Sequence, residues 1–360
     1  MKSVKLVEVF YHDILVGKIA ITDKGLCAFE YSVEFLNNGF SISPFELPLK
    51  PGVFIASRQP FNGNFGVFDD CLPDGWGMII LQRYLQTKGF QLSKLSLLDR
   101  LSLVGSVGRG ALEFRPDQSV FNTADFHDFE FLAAETQRIL TTDHYEGEAI
   151  DDLYRRGGSP GGARPKIFIH FEGREWLVKF RSANDAQNIG DTEYRYSLLA
   201  RQCGLEMPET QLIEGKYFAV ERFDRIQGTK IHVVSVAGLL RADYRTPCID
   251  YYAIFQLCNV LTRNMQEMWK LYRLMVFNFL IGNKDDHAKN FAFLYVNNEW
   301  KLAPAYDILP SDGINGYHTT TINDSVEPTK DDLLAVAAKA GLDKVRALKE
   351  FDNIFSIVKG

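Results

Sequence analysis

The sequence predicts an α+β fold in two lobes, the first rich in strands and the second mainly helical. Three observations carry this. At 360 residues the chain is longer than one hydrophobic core ordinarily organises. Up to about Asp224 its apolar residues alternate or fall in short runs broken by Gly and Pro, as in strands. Beyond Asp224 they recur on several faces of longer segments, above all from Gln266 to Ile281, which reads as a helix deep in a core.

The elements follow in order. MKSVKLVEVFYHDILVGKIAI alternates like two strands around a turn and lacks the apolar stretch and cleavage site of a secretory signal. FNGNFGVFDDCLPDGWGMIILQRYL is punctuated by glycine and proline, and in LVGSVGRGALEF glycines give way to a short strand. Residues 1–118 are set apart as a mixed N-terminal subdomain. Residues 119–150 are polar and acidic, with a helix expected around DFEFLAAETQRIL. KIFIHF and EWLVKF then make a hairpin about Glu-Gly-Arg, a helix is expected from about Asp191 to Cys203 with Gly204 to end it, and two more strands complete a β-rich region 119–224. Within the helical region 225–360, FAFLYV and EWKLAPAYD form a hairpin about Asn297-Asn298 that returns Asp307 toward Asp285.

Composition excludes several classes. With 46% hydrophobic and 24% charged residues the chain reads as soluble and globular, no segment is expected to span a membrane, and the cytosol is the expected compartment. A net charge of -6 gives no global attraction to nucleic acid. Five scattered cysteines without a CxxC pair argue against a disulfide framework and a zinc site.

The chemistry concentrates in IGNKDDHAKNF, residues 281–291. Asp285 and Asn290, with Asp307 returned by the hairpin, supply hard oxygen ligands that suit Mg²⁺ with bound phosphates. In a phosphoryl-transfer site Asp285 takes the proton of an attacking hydroxyl, and Asn290 and Asp307 hold the metal. This order is that of protein-kinase-like folds. Asp285 is preferred as base for its spacing to Asn290, with Asp286 the alternative; His287 and Lys289 are supporting candidates that could equally be solvated loop residues. Upstream, Lys179 ends the strand WLVKF, where an ammonium can reach phosphate, and Glu193 on the next helix can hold it in place. Glu221, Arg222 and Phe223, in KYFAVERFDR, match the segment that meets adenine in such folds. GGSPGGARPK brings the backbone N–H groups around Ser159, Gly161 and Gly162 within reach of phosphate oxygens, or is simply a linker.

Together, GGSPGGARPK, WLVKF, DTEYRYSLLARQCGLEMPE, FAVERFDR, IGNKDDHAKNF and LAPAYDI resemble, in the same order, the HipA family of bacterial serine/threonine kinases, the toxins of type II toxin–antitoxin modules. FDDCLPDGWG and SVGRGALEF look like that family's accessory N-terminal subdomain. The resemblance implies a two-lobed, protein-kinase-like fold that uses ATP and Mg²⁺, with Asp285 catalytic, Asn290 and Asp307 on the metal, Lys179 on the ATP phosphates and Glu221 to Phe223 on adenine. It implies autophosphorylation at Ser159, an aminoacyl-tRNA synthetase as target, and a HipB-like helix-turn-helix antitoxin through which DNA is mainly contacted. Two other readings stay open: a nucleotide- or partner-binding module without kinase activity, and a metal-dependent hydrolase with His287 as a ligand.

Overall fold

Strands β1 (Leu6–Tyr11) and β2 (Ile14–Ile21) pair antiparallel about His12-Asp13, two residues with φ of 48° and 63°, the left-handed pair that matches strand twist. This is a computed structural model, which describes residues 3–120, 128–142, 150–157, 162–313 and 315–360. The sheet they begin takes in β3 (Cys27–Tyr31), β4 (Val53–Ile55) and β5 (Leu112–Arg115), in the order β4-β3-β2-β1-β5. Between these strands come α1 (Val33–Asn38), α2 (Gly66–Asp69), α3 (Gly75–Thr87) and α4 (Leu97–Val104). Helices α5 (Phe129–Thr141), capped by Asp128, and α6 (Ile150–Gly157) follow.

A second antiparallel sheet has the order β6-β7-β9-β8, from β6 (Lys166–Phe171), β7 (Arg174–Lys179), β8 (Thr210–Ile213) and β9 (Tyr217–Glu221). Alternation sends Ile167, Ile169, Trp176, Val178, Tyr217 and Ala219 to one face, where they form a core with Trp76, Ile80 and Leu85 of α3, Leu132 of α5 and Leu153 of α6. The two N-terminal regions that differ in composition therefore share one core. They form one compact unit of residues 1–191 and 210–232; the other comprises residues 192–209 and 233–360.

Within the first unit the short hairpin β10 (Arg225–Ile226) and β11 (Thr229–Lys230) follows a buried ion cluster. Arg222 donates to both oxygens of Asp224 at 3.0 and 2.9 Å and to Glu175 at 3.2 Å. Arg225 donates to Asp224 at 3.0 Å and to the Gly110 carbonyl at 3.0 Å, and Gly110 N–H donates to Asp224 at 2.8 Å. Burial works against the charge, but the two guanidiniums hold the Asp224 carboxyl well below the usual carboxylate range. The cluster thus rivets the loop around Gly108 to the β6–β9 sheet.

His232, fully buried with Nε2 2.8 Å from the Ile42 carbonyl, is pushed down to about 4 by burial. It is neutral in the fold but takes a proton below about 6.5 when unfolded, so its contribution is lost as pH falls from about 6.5 toward 4, by on the order of 3 kcal/mol. Urea midpoints at pH 7 and pH 5 should show about 2 kcal/mol of this drop, and His232→Gln should flatten it.

The second unit holds most of α7 (Ile189–Gln202), then β12 (His232–Ser235), α8 (Val236–Leu240), β13 (Ile249–Asp250), α9 (Tyr251–Thr262) and α10 (Met265–Ile281). Hairpin β14 (Ala292–Val296) and β15 (Glu299–Leu302), β16 (Thr320–Thr321), α11 (Lys330–Lys339) and α12 (Lys344–Lys359) complete it. Asn264 caps α10, whose Leu271, Tyr272, Met275, Val276 and Phe277 are fully buried, as its many-sided apolar pattern demands. No helix among the described residues is long and apolar enough to cross a membrane.

Candidate active site

Helix α10 ends on Gly282, whose φ of 70° is the left-handed turn that lets its N–H return to the Asn278 and Phe279 carbonyls. The chain then runs extended through Asn283 and Lys284 and sends the next two carboxylates opposite ways. Asp285 is exposed, whereas Asp286 is 1% exposed. The Asp286 carboxylate accepts from Tyr251 Oη at 3.1 Å, pairs with His318 Nδ1 at 3.1 Å and accepts from the Thr320 N–H at 3.2 Å; Thr320 Oγ1 donates to the Asp286 carbonyl. Burial, then the Asp286 charge, pushes the Tyr251 phenol well above its ordinary value, so it remains a donor. Of the two adjacent aspartates, Asp285 alone is presented to solvent.

The same buried network reaches the third expected acid. Asn278 Nδ2 donates to Tyr251 Oη at 3.0 Å, and Asn283 Nδ2 donates to Asn278 Oδ1 at 3.1 Å and to the Asp307 carbonyl at 3.4 Å. Asp307 has a φ of 57°, a left-handed conformation that Asp tolerates better than most residues. Tyr306 Oη donates to the Lys289 carbonyl at 2.6 Å, so the segment after β15 is tied to the loop before β14. The hairpin reverses at Asn297-Asn298, both with positive φ, as their turn-forming pattern requires. Asp285, Asn290 and Asp307 thus lie in one hydrogen-bonded assembly within the second unit.

Asn290 Nδ2 donates to the Asp285 carbonyl at 2.7 Å, which turns its Oδ1 to the other side as a hard-oxygen donor. His287 Nδ1 is buried and makes no hydrogen bond to a described residue. Lys289 Nζ lies 4.2 Å from the Tyr244 ring centroid, and that ring also packs against His287. Among the described residues no three His, Cys, Asp or Glu side chains gather as a ready cation site. The donors present instead fit Mg²⁺, which takes one or two protein oxygens and completes its shell with phosphate and water.

In the first unit, register places Lys179 opposite Lys166 on β6 and Phe218 on β9, all on the sheet face away from the shared core. Both lysines are buried, and Lys179 Nζ lies 5.7 Å from the Phe218 ring. Arg222 N–H donates to the Glu175 carbonyl at 2.9 Å and its side chain enters the ion cluster, so Arg222 holds the strand while Glu221 and Phe223 flank it. Glu221 also pairs with Arg174 at 3.1 Å. Glu193 is buried on α7. Gly162 donates its N–H to Asp74, and Ser159 and Gly161 lie outside the described residues.

Sequence reasoning passed over Tyr251, Asn278, Asn283, His318, Thr320 and Lys166. Asn278 carried a signal, a lone amide inside MVFNFLI. Tyr251, His318 and Thr320 carried none, because only the tertiary fold brings them to Asp286.

Comparison with known proteins identifies the family and the fold. The HipA-like C-terminal domain matches residues 158–359 and the HipA N-terminal domain residues 7–115. The Y4mE protein of Sinorhizobium fredii is 31% identical over 341 residues, covering 85% of this chain and 77% of that protein. The serine/threonine-protein kinase toxin HipA of Shewanella oneidensis is 21% identical over 89% of this chain and 79% of its own length. The solved structure of Shewanella oneidensis HipA, in a complex with HipB and operator DNA, superposes with a TM-score of 0.75 at 19% identity, covering 98% of this chain and 88% of that one, and so shares the fold. With both domains present over nearly its whole length, the chain belongs to the HipA family.

Proposed function

We propose that this protein is an ATP- and Mg²⁺-dependent serine/threonine protein kinase acting in the cytosol as the toxin of a toxin–antitoxin pair. The observation that carries the reading is the division between Asp285 and Asp286: one carboxylate is exposed beside Asn290, and its neighbour is buried as the anchor. Asp285 accepts the proton of the attacking serine or threonine hydroxyl. Asn290 Oδ1 and the Asp307 carboxylate hold Mg²⁺, which when bound neutralises charge on the phosphates. Lys179, with Lys166 beside it, binds phosphate oxygens. The backbone of Glu221 and Phe223 meets adenine, with Arg222 fixing that strand. His287 and Lys289, packed on Tyr244, support the loop that carries Asp285, and Ser159, in the loop with Gly161 and Gly162, is the site of self-modification.

Family membership and the shared fold support a HipB-like antitoxin as partner, with DNA reached through it, and the family resemblance points to an aminoacyl-tRNA synthetase as target. The test uses γ-labelled ATP and Mg²⁺ with a panel of synthetases and an inactive Asp285→Asn copy as acceptors. Label on a protein serine supports the proposal. ATP binding without transfer would favour a binding module, and phosphate release without labelled protein a hydrolase.

A further inference from the structure

The turn Asp74-Gly75-Trp76 of the N-terminal subdomain grips the foot of the glycine-rich loop. Asp74 stands at the N-cap of α3, where an aspartate ordinarily accepts from its own helix, yet it makes no such cap. Its carboxylate instead accepts the N–H of Gly162. Trp76 N–H donates back to the Gly162 carbonyl at 2.9 Å, and Trp76 Nε1 donates to the Lys166 carbonyl at 3.1 Å. Gly75 has a φ of 43°, and a Cβ there would lie 2.4 Å from the Gly162 oxygen, so only glycine allows the approach. One peptide unit on each side of Gly162 is thereby held from the same turn. The far side of the foot is fixed by Arg164 on Asp185 at 3.1 Å and by Phe180 N–H on the Pro165 carbonyl at 2.8 Å.

We propose that Asp74 is a positioning residue for Gly162, so that the N-terminal subdomain fixes where this stretch of backbone sits and through it sets the affinity for nucleotide. The inference rests on the kinase reading for its consequence but not for the clamp itself. A carboxylate on the Gly162 amide removes that N–H from the set open to phosphate and fixes the Gly162 backbone in place. A bond from an amide to a carboxylate is stronger than a neutral one, so its loss should be measurable.

The experiment compares the full-length parent with Asp74→Ala and Asp74→Asn by hydrogen exchange and by Mg²⁺–ATP titration. In Asp74→Ala, exchange of the Gly162 amide is expected to quicken at least tenfold, nucleotide to bind about tenfold more weakly, and KM for ATP to rise more than kcat falls. Asp74→Asn keeps the shape and is expected to show the same changes to a smaller degree, a safeguard should the alanine variant misfold. Melting temperature is expected to stay near that of the parent, since Asp74 does not cap α3. Unchanged exchange at Gly162, or tighter ATP binding without the carboxylate, would overturn the inference. If the parent itself bound no Mg²⁺–ATP, the kinase reading would fall while the exchange comparison still decided the clamp.

Discussion

Asp285→Ala is expected to slow phosphoryl transfer by about 10²–10⁴-fold, the usual worth of a positioned general base. The rest of the site should survive the change. Asp285 is exposed, and its carbonyl, which accepts from Asn290, is retained in alanine. Nucleotide affinity should therefore move little while the single-turnover rate collapses. A variant that kept the parent's rate would place the base elsewhere. Asp286 is a poor substitute, since Tyr251, His318 and Thr320 already occupy its carboxylate.

Asp286→Ala should fail in a different way, through stability first. Its removal leaves the Tyr251 hydroxyl, His318 Nδ1 and the Thr320 N–H without their shared acceptor inside the second unit. Leaving such buried donors without an acceptor costs about 1–3 kcal/mol each. Activity is lost with it, because Asp307 reaches Asp286 through Asn283, Asn278 and Tyr251, and an ångström of slack near reacting groups can cost about 10²-fold in rate. Urea unfolding of Asp285→Ala and Asp286→Ala side by side separates the two roles. The first should unfold like the parent and the second at clearly lower urea, and equal midpoints would show that the network adds little.

These contrasting roles mark where sequence reading succeeds and where it stops. The hairpins at Glu172-Gly173 and Asn297-Asn298 were legible because a tight turn demands residues that accept positive φ, and such residues interrupt alternating runs. Helix α10 was legible from its apolar surface and Gly282 from its place after it. Asp285, Asn290 and Asp307 could be singled out because oxygen donors at that spacing have a recognisable use. Which of Asp285 and Asp286 faces inward was not legible, since adjacent carboxylates are equivalent in composition and only Tyr251 and His318, distant in sequence, distinguish them. The clamp on Gly162 was hidden similarly: Asp74 sits in a run legible only as punctuated by glycine and proline, and its partner lies in another region of the chain.

The most direct test of the kinase assignment is intact-protein mass after incubation with Mg²⁺ and ATP, starting from protein shown free of phosphate. The parent is expected to gain the mass of a phosphoryl group, and both Asp285→Ala and Ser159→Ala to gain nothing. A parent that binds ATP yet remains at its starting mass, or an Asp285→Ala variant that gains as much as the parent, would contradict the account.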